Sequence, residues 1–274
     1  MKRLHAMVAA VAILLGAGAA AADSGEDPAE LERTFRAARV YLPAASSPGV
    51  RQVDVAALTG DGLTESDPPK AVIVYAHGCD GLSRITDASG WFLARAGYAV
   101  IAPDSFARLD KPVSCDPARH RGSLHRAVLG WRQAEVRHAV ERVRGLNSLA
   151  GLPVVLVGHS EGAITVATIG SVAVSARVIE GWTCHAGWPE YRGLNAPAGQ
   201  PVLALLGADD PWFTLPVLKG DCGSLMQPSD LARSIVYRAP HALHDQHWLS
   251  FDREVQGEIL TFLDAALQRP ETWE

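Results

Sequence analysis

Residues 154–164 read VVLVGHSEGAI, in which an apolar run leads through Gly-x-Ser-x-Gly into residues that favour a helix. The run predicts a buried strand, and the glycines at positions 158 and 162 let that strand and the following helix approach closely. The turn between them would hold Ser160 exposed at a sheet edge, in a strained backbone that is worth keeping only if the hydroxyl is used. The motif needs this strand and helix as its context, and the sequence has both. The segment therefore predicts a nucleophilic serine at position 160.

The rest of the chain alternates short apolar runs with segments of helical periodicity. Runs that are apolar on successive residues, separated by amphipathic helices, indicate an α/β fold with a mostly parallel sheet covered on both faces. We expect one such domain over residues 23–274, with at most a small lid in residues 185–200. The predicted strands are 51–58, 71–75, 99–102, 153–157, 177–182, 201–206 and 234–237, and the predicted helices are 91–96, 123–144, 161–174 and 253–267.

Acidic and histidine residues follow the last two predicted strands. Asp209 and Asp210 come shortly after residues 201–206, and a histidine-rich segment, residues 239–247, follows the final strand. Residues just beyond the carboxyl ends of parallel strands meet at one edge of the sheet. The chain order serine, acid, histidine is that of an α/β-hydrolase triad, in which the carboxylate orients the imidazole that activates the serine. From the loop geometry of that fold we predict Asp210 as the acid, with Asp209 as the alternative.

Three histidines in that segment are candidates for the base. We predict His241, which follows the strand most directly, with His244 as the alternative and His247 in a loop or helix cap. A rival hypothesis groups these imidazoles with Asp245 as a metal site. Their i, i+3, i+6 spacing does not place three ligands on one helical face, and Pro240 disfavours a helix just before them. We therefore expect no metal and no other cofactor, and the chain has no G-x-x-x-x-G-K phosphate-binding loop.

The predicted strand at residues 71–75 runs into a glycine-bearing turn, His77-Gly78-Cys79. In an α/β-hydrolase a loop in this position supplies one backbone amide of the oxyanion hole, and the residue after the nucleophile supplies the other. We predict the backbone N–H groups of Cys79 and Glu161 as these two donors. A nucleophilic role for the sulfur of Cys79 is the alternative, and a disulfide at this residue would exclude it.

The four cysteines all lie beyond the first 22 residues. If the chain is exported, oxidising conditions favour two disulfides over free thiols. Four cysteines can pair in three ways. We favour Cys79 with Cys115 and Cys184 with Cys222, because each pair would join loops at the same edge of the sheet. A zinc site is the alternative, but the sequence has no C-x-x-C spacing.

Residues 1–22 have the pattern of a secretory signal, with Lys2 and Arg3 followed by an apolar stretch over residues 7–16 and then small residues. The apolar stretch is shorter than the roughly 20 residues that span a bilayer, so we expect cleavage before Asp23 and not a membrane anchor. Loss of the two basic residues would change the formal charge from −5 to −7. We therefore expect a soluble, acidic protein, exported to the periplasm or secreted, that does not bind nucleic acid or anionic membranes.

Four tryptophans fall on or near loops at the carboxyl edge of the predicted sheet. A tryptophan is ordinarily a core residue. Several together beside a predicted cleft nonetheless predict an apolar or aromatic pocket for an acyl group. These residues are Trp182, Trp188, Trp212 and Trp248.

Four segments taken together resemble the dienelactone hydrolase family: HGCDG at residues 77–81, PDSFAR at 103–108, Cys115, and GHSEG at 158–162. This combination is more specific than the serine motif alone. The resemblance implies an α/β-hydrolase fold, and it supports the pairing of Cys79 with Cys115.

The resemblance spans about residues 70–265 and implies a triad of Ser160, Asp210 and His241. The chain departs from the family in two respects. Dienelactone hydrolase proper is a cytoplasmic protein with a cysteine nucleophile, so its dienelactone substrate is not carried over to this chain. The sequence HALHD at residues 241–245 can also be aligned with a family His-Ala-Phe-Asp in two ways.

The sequence as a whole predicts an exported serine hydrolase that cleaves small-molecule carboxylic esters through an acyl-enzyme. A first alternative is an exported peptidase of the prolyl-oligopeptidase-like type, which would normally need an added domain to restrict peptide entry. A second is a binding module that keeps the fold without turnover, because a fold does not imply a function.

Overall fold

The computed structural model describes residues 25–44, 49–59, 68–170 and 172–269. The predicted signal segment, residues 1–22, lies outside this part of the chain. None of the described helices is long and apolar enough to cross a membrane. The α-helices of the described part are α1 (Pro28–Arg36), α2 (Arg84–Arg95), α3 (Val128–Arg144), α4 (Glu161–Thr168) and α5 (Arg253–Leu267), and its strands are β1 (Arg39–Pro43), β2 (Val50–Asp54), β3 (Val72–Ala76), β4 (Ala99–Ala102), β5 (Val154–His159), β6 (Ala176–Glu180), β7 (Val202–Gly207) and β8 (Ala232–Tyr237).

The strands form one sheet in the order β2-β1-β4-β3-β5-β6-β7-β8. Strand β1 is antiparallel to β2 and β4, and the neighbouring pairs from β4 to β8 are parallel. The prediction of a mostly parallel sheet is confirmed. Strand β1 was not predicted, because Arg39 and Pro43 bound an apolar core of only Val40, Tyr41 and Leu42, which is too short to stand out as a run.

The two faces of the sheet carry separate apolar cores, as period-two alternation along a buried strand requires. Along β3, Val72 and Val74 join a core with residues of α1, α3 and α4. Ile73 and Tyr75 join the other core, with residues of α2 and α5. Helices therefore cover both faces, as predicted, and the described polar site residues are left to the sheet edge.

Helix α4 ends at Thr168, six residues before the predicted end at residue 174. A guanidinium group explains the early end. Nη1 of Arg177, a fully buried residue of β6, donates to the carbonyl oxygens of Val166 at 2.9 Å and Ile169 at 2.7 Å. These contacts satisfy carbonyl groups that a helix leaves unpaired at its carboxyl end. Burial lowers the pKa of Arg177 to about 10.

The strand order reverses between β3 and β5, because β4 lies on one side of β3 and β5 on the other. Ligands of open α/β sheets bind beyond the carboxyl ends of the strands at such a reversal. The turn after β3 and the Ser160 turn after β5 meet at this point. The loops after β6, β7 and β8 lie farther along the same edge.

Candidate active site

Ser160 links β5 directly to α4 and has φ 57° and ψ −120°. A non-glycine residue rarely adopts this left-handed region, and such strain clusters at functional sites. The backbone holds the turn on both sides. The N–H of Ser160 donates to the carbonyl oxygen of Glu180 at 2.9 Å, and its carbonyl oxygen accepts from the N–H of Ile164 at 3.1 Å. The side chain is thereby presented at the carboxyl edge of the sheet.

Two glycines make this turn sterically possible. A Cβ on Gly158 would lie 2.2 Å from the carbonyl oxygen of Gly162. A Cβ on Gly162 would lie 1.9 Å from the carbonyl oxygen of Ala76 in β3. Both clashes are with backbone atoms that cannot rotate away, so the pattern reflects the close approach of β3, β5 and α4.

We expect Gly162→Ala to lower the free energy of unfolding by about 3 kcal/mol or more, because the added methyl group must push β3 and α4 apart. Gly130→Ala is the matched control, since Gly130 lies on the exposed face of α3, where an added Cβ would have no described atom within 4 Å beyond its own helix turn. The control should gain about 0.5–1 kcal/mol from the better helix former. Urea unfolding of both variants measures the difference. Equal stability of the Gly162→Ala variant and the wild type would contradict this account of the elbow.

Asp210 and His247 form a buried pair beside the elbow. Nδ1 of His247 donates to Oδ2 of Asp210 at 2.6 Å, and the other carboxylate oxygen accepts from the N–H of Trp212 at 3.0 Å. Asp210 is only 2% exposed. The imidazole of His247 stacks on Trp212, with ring centroids 5.1 Å apart, and its buried Nε2 has no hydrogen-bond partner among the described residues. His247 and Ser160 line the same two clefts.

The structure corrects the predicted pairing of His241 with Asp210. The ring of His241 packs on Tyr237, with centroids 4.8 Å apart, and its Nδ1 accepts from the N–H of Leu243 at 3.1 Å. Its Nε2 lies 3.9 Å from a carboxylate oxygen of Glu254 on α5. His241 therefore stays at the end of β8 and does not reach the carboxylate that it was predicted to serve.

The two alternatives of the sequence analysis pair with each other. Nδ1 of His244 lies 2.9 Å from Oδ2 of Asp209; the His244 side chain is partly exposed and the Asp209 side chain is exposed. The three histidines thus have three different carboxylate neighbours. Within the described ranges, no group of three or more His, Cys, Asp or Glu side chains is arranged to hold a metal ion.

The path of the loop after β8 explains why the third histidine reaches Asp210. Successive turns join the N–H of His244 to the carbonyl oxygen of His241 at 3.1 Å and the N–H of Gln246 to that of Leu243 at 3.2 Å. These turns fold the loop over Gly207 at the end of β7, where a Cβ would lie 2.6 Å from the carbonyl oxygen of Gln246. Distance along the sequence from the strand therefore did not identify the histidine that reaches Asp210.

A buried carboxylate anchors the chain just beyond His247. Oε1 of Glu180 accepts from the N–H groups of Leu249 and Ser250, both at 2.6 Å, and its Oε2 accepts from the hydroxyl of Ser250 at 2.9 Å. Burial raises the pKa of Glu180, although these hydrogen bonds act in the opposite direction. The only hint of this anchor in the sequence is that Glu180 interrupts an otherwise apolar strand end.

The turn that carries Cys79 lies against the elbow. A Cβ on Gly78 would stand 3.6 Å from Cβ of Ser160, and Cys79 and Glu161 line one cleft with Ser160. Cys79 is bonded to Cys115, and Cys184 is bonded to Cys222. Both predicted disulfides are confirmed.

A buried network lies behind the two residues predicted to supply the oxyanion hole. The hydroxyl of Ser114 donates to the carboxylate of Glu161 at 2.5 Å. Arg132 on α3 donates from Nη2 to the carbonyl oxygen of His77 at 2.7 Å, and its Nη1 lies 3.4 Å from the same Glu161 carboxylate. Burial raises the pKa of Glu161, while Arg132 and Ser114 oppose the shift. The arginine thereby ties the turn after β3 to the first residue of α4.

Two clefts meet at Ser160 and His247. The first, of about 280 Å³, lies between the loops after β6 and β7 and is lined mostly by apolar and aromatic side chains. The second, of about 560 Å³, lies on the side of the loop after β8 and has polar side chains that include Asp80, Arg84 and His120. Of the four tryptophans singled out in the sequence, Trp182 and Trp188 line the first cleft, Trp248 lines the second, and Trp212 lines both.

Comparison with known proteins finds similarity in structure only. No family model matches the chain. No curated protein matches it. A protein from Thermus thermophilus aligns over 74% of this chain and 92% of its own, with a TM-score of 0.51 and 18% identity. A Klebsiella pneumoniae protein that carries the name dienelactone hydrolase aligns over 85% and 100%, with a TM-score of 0.50 and 15% identity, and an esterase from Pyrococcus furiosus over 88% and 96%, with a TM-score of 0.50 and 12% identity.

The chain has the α/β-hydrolase fold. The order of Ser160 after β5, Asp210 after β7 and His247 after β8 is the order in which that fold presents a catalytic triad. With sequence identities this low, the alignments support a shared fold but do not identify a substrate.

A second histidine, His159, is buried between the elbow of the α/β-hydrolase fold and the candidate base. Its ring lies 5.1 Å from that of His247 and is almost fully buried. Burial, with a smaller contribution from His247, lowers the pKa of His159 to about 3. His159 is therefore neutral at neutral pH and does not add a positive charge beside His247.

This buried imidazole predicts a pH dependence of stability. The unfolded chain takes up a proton on His159 below about pH 6.5, whereas the folded chain holds the side chain neutral until about pH 3. The free energy of unfolding should therefore fall as the pH drops through this window, and His159 should contribute about 2 kcal/mol of that fall between pH 7 and pH 5. Urea unfolding at both pH values should show a smaller fall in His159→Gln than in the wild type. Identical falls in the two proteins would contradict the assignment.

Proposed function

We propose that this protein is a serine hydrolase that cleaves carboxylic esters through an acyl-enzyme, with Ser160 as nucleophile, His247 as base and Asp210 as orienting acid. The observation that carries the proposal is the buried Asp210–His247 hydrogen bond of 2.6 Å beside a strained Ser160. One nitrogen of the His247 imidazole is held by the carboxylate, and the other has no hydrogen-bond partner in the described part of the chain. A general base for a serine requires this arrangement.

The reaction follows from these positions. The hydroxyl oxygen of Ser160 attacks the ester carbonyl carbon while Nε2 of His247 accepts its proton. The tetrahedral intermediate collapses to the acyl-enzyme when His247 returns that proton to the departing alcohol oxygen. In deacylation the same nitrogen takes a proton from water as the water oxygen attacks the acyl carbon. The second tetrahedral intermediate collapses when His247 returns that proton to the Ser160 oxygen, which releases the carboxylic acid.

The backbone N–H groups of Cys79 and Glu161 are proposed as the oxyanion hole. Two features support this role: both residues border the cleft at Ser160, and the network of Arg132, Ser114 and the Cys79–Cys115 disulfide holds their backbones in place. Donors fixed before the reaction stabilise developing negative charge without a cost of reorganisation in the transition state.

An ester fits the site better than a peptide. The segment from residue 185 to residue 200 contributes only part of the lining of the first cleft. It is too short to build the added domain that restricts peptide entry in prolyl-oligopeptidase-like enzymes. The fold neighbours named as an esterase and a dienelactone hydrolase favour ester or lactone chemistry of the dienelactone hydrolase type. The dienelactone itself is not proposed, because this chain has serine at the nucleophile position.

We also propose that the protein works outside the cytoplasm, in the periplasm or as a secreted protein, with residues 1–22 as its signal. Two disulfides support an oxidising compartment, since such bonds are rare in the cytosol. The proposed partner is a small-molecule ester, and the acidic net charge gives no reason to expect nucleic acid.

Pre-steady-state kinetics test the proposed mechanism. Mixing the protein with excess p-nitrophenyl ester should release a burst of p-nitrophenol close to one equivalent per Ser160, followed by slower turnover, because the acyl-enzyme accumulates. A peptide p-nitroanilide should give little turnover. Rapid cleavage of the anilide would favour the peptidase alternative, and folded protein that cleaves neither substrate would favour a binding module.

A further inference from the structure

The first cleft differs from the second in having few ionisable side chains in its walls. Among the described residues that line it, the only ionisable side chains besides Tyr191 are Glu161 and His247. Glu161 is 5% exposed, and its carboxylate accepts a hydrogen bond from Ser114 and lies beside Arg132. The carboxylate is therefore not available to pair with a charged ligand. Among the described lining residues there is thus no cation to pair with an acidic acyl group.

The position of the base assigns the two clefts to the two halves of an ester. His247 must protonate the departing alcohol, so the alcohol lies on the side of the histidine loop. Residues 245–248 of that loop line the second cleft, whereas His247 alone borders the first. The first cleft therefore receives the acyl group, and the second cleft, which is also lined by charged side chains such as Asp80 and Arg84, receives the alcohol.

Five aromatic side chains line the acyl cleft, together with aliphatic ones that include Leu215, Val217 and Leu218. Trp182 and Phe213 meet edge to face with centroids 5.6 Å apart, and Trp188 and Tyr191 do so at 5.4 Å. Such rings offer both faces and edges to another ring, and aromatic pairs are stabilised beyond the area that they bury. An aromatic guest therefore gains more here than an alkyl chain of equal area.

The walls are also fixed in position. The Cys184–Cys222 disulfide joins the loop after β6, which carries Trp182 and Trp188, to the loop after β7, which carries Phe213 and Leu218. A rigid cleft favours a rigid guest, because a flexible chain loses more rotational freedom on binding. Its volume of about 280 Å³ exceeds the roughly 150 Å³ of a cavity that holds one benzene ring. One ring and a short linker would fill it.

We propose that the natural substrate is an ester of a polar alcohol. Its acyl group has no charged substituent and carries one aromatic ring on a short linker. This inference rests on the proposed esterase function and specifies its substrate class. The ring would lie between the cross-linked aromatic loops, and the ester carbonyl would reach Ser160.

A set of p-nitrophenyl esters with one leaving group tests the acyl preference. The set contains acetate, hydrocinnamate, the straight-chain ester with as many acyl carbons as hydrocinnamate, and hemisuccinate. We expect kcat/KM for hydrocinnamate to exceed that for the straight-chain ester by about tenfold or more, and the hemisuccinate to be the poorest substrate relative to its size.

Gly187→Leu tests the location of the ring. A Cβ at Gly187 would stand 3.7 Å from Val217 on the facing wall, so a leucine narrows the cleft between the two loops. We expect the hydrocinnamate-to-acetate ratio of kcat/KM to fall by about tenfold or more in this variant. Gly257→Leu is the matched control and should keep the wild-type ratio. Gly257 lies on the exposed face of α5, and apart from its own helix turn no atom of the described residues is within 4 Å of an added Cβ.

Labelling of Ser160 by a small fluorophosphonate distinguishes a failure of the proposed esterase function from a failure of the inferred aromatic substrate. Labelled protein that prefers the straight-chain or the hemisuccinate ester would overturn the aromatic assignment and leave the esterase standing. An unchanged ratio in Gly187→Leu would overturn the placement of the ring in the first cleft. Folded protein with neither labelling nor ester turnover would overturn both the function and the inference.

Discussion

Ser160→Ala is expected to lower kcat for ester hydrolysis by about 10⁵-fold, to the residual rate that binding and the oxyanion hole supply without a nucleophile. The reason is chemical and not structural. Alanine keeps the Cβ of Ser160, so the elbow with φ 57° can form unchanged, while the attacking oxygen is lost.

Steady-state hydrolysis of p-nitrophenyl acetate, with urea unfolding alongside, measures this effect. The free energy of unfolding should remain close to that of the wild type. Ser148→Ala removes the same hydroxyl group at a remote site, where it donates to the carbonyl oxygen of Leu58 at 2.6 Å, and should leave kcat within a factor of about two. A folded Ser160→Ala protein with near wild-type turnover would exclude Ser160 as the nucleophile.

His247→Ala is expected to reduce kcat by about 10⁴-fold or more, because the serine then has no base and the alcohol no acid. His241→Ala and His244→Ala should each stay within about threefold of the wild type, since neither side chain contacts the Asp210 carboxylate. The three histidines are matched controls for one another: they lie in one loop and undergo the same substitution.

The pattern across the three variants is more informative than any single loss. Removal of His241 costs the acceptor for the N–H of Leu243, so a modest loss of stability of about 1 kcal/mol is expected there without a loss of kcat. Kinetics at saturating substrate and urea unfolding distinguish the two effects. Abolished turnover in His241→Ala together with an active His247→Ala would reinstate the assignment made from the sequence.

Local patterns account for what the sequence predicts well. The elbow at residues 154–164 combines a strand, two glycines and a helix within one short segment, so its sequence pattern can be recognised locally. Strand β4 matches its predicted bounds because its four residues form an unbroken buried run. Helix α5 matches its bounds because its amphipathic pattern continues over 15 residues. The disulfides follow from loops that a parallel sheet must bring to one edge.

The choice of histidine depends on contacts between distant segments. Whether His241 or His247 reaches Asp210 is decided by turns over Gly207 and by hydrogen bonds from Leu249 and Ser250 to Glu180. None of these contacts leaves a periodic signal in residues 239–250.

Buried charge is equally hard to predict. Arg132 and Glu135 on α3 have the spacing of an ordinary exposed ion pair, yet both are 2% exposed. Ion-pair partners from other elements make that burial tolerable: Arg108 pairs with Glu135, and Glu161 lies beside Arg132. The network holds in place the segments that carry the proposed oxyanion donors. From hydropathy alone, Arg132 and Glu135 would be assigned to a solvent-exposed helix face.

The most direct measurement of the triad is the site and rate of fluorophosphonate labelling, followed by peptide mapping in the mass spectrometer. We expect a single adduct on Ser160. The adduct should form about a thousandfold more slowly, or slower still, in His247→Ala and at the wild-type rate in His241→Ala, because only a serine activated by its base attacks phosphorus rapidly. An adduct on another residue, no adduct on folded protein, or a labelling rate that depends on His241 and not on His247 would contradict the assignment of Ser160, His247 and Asp210.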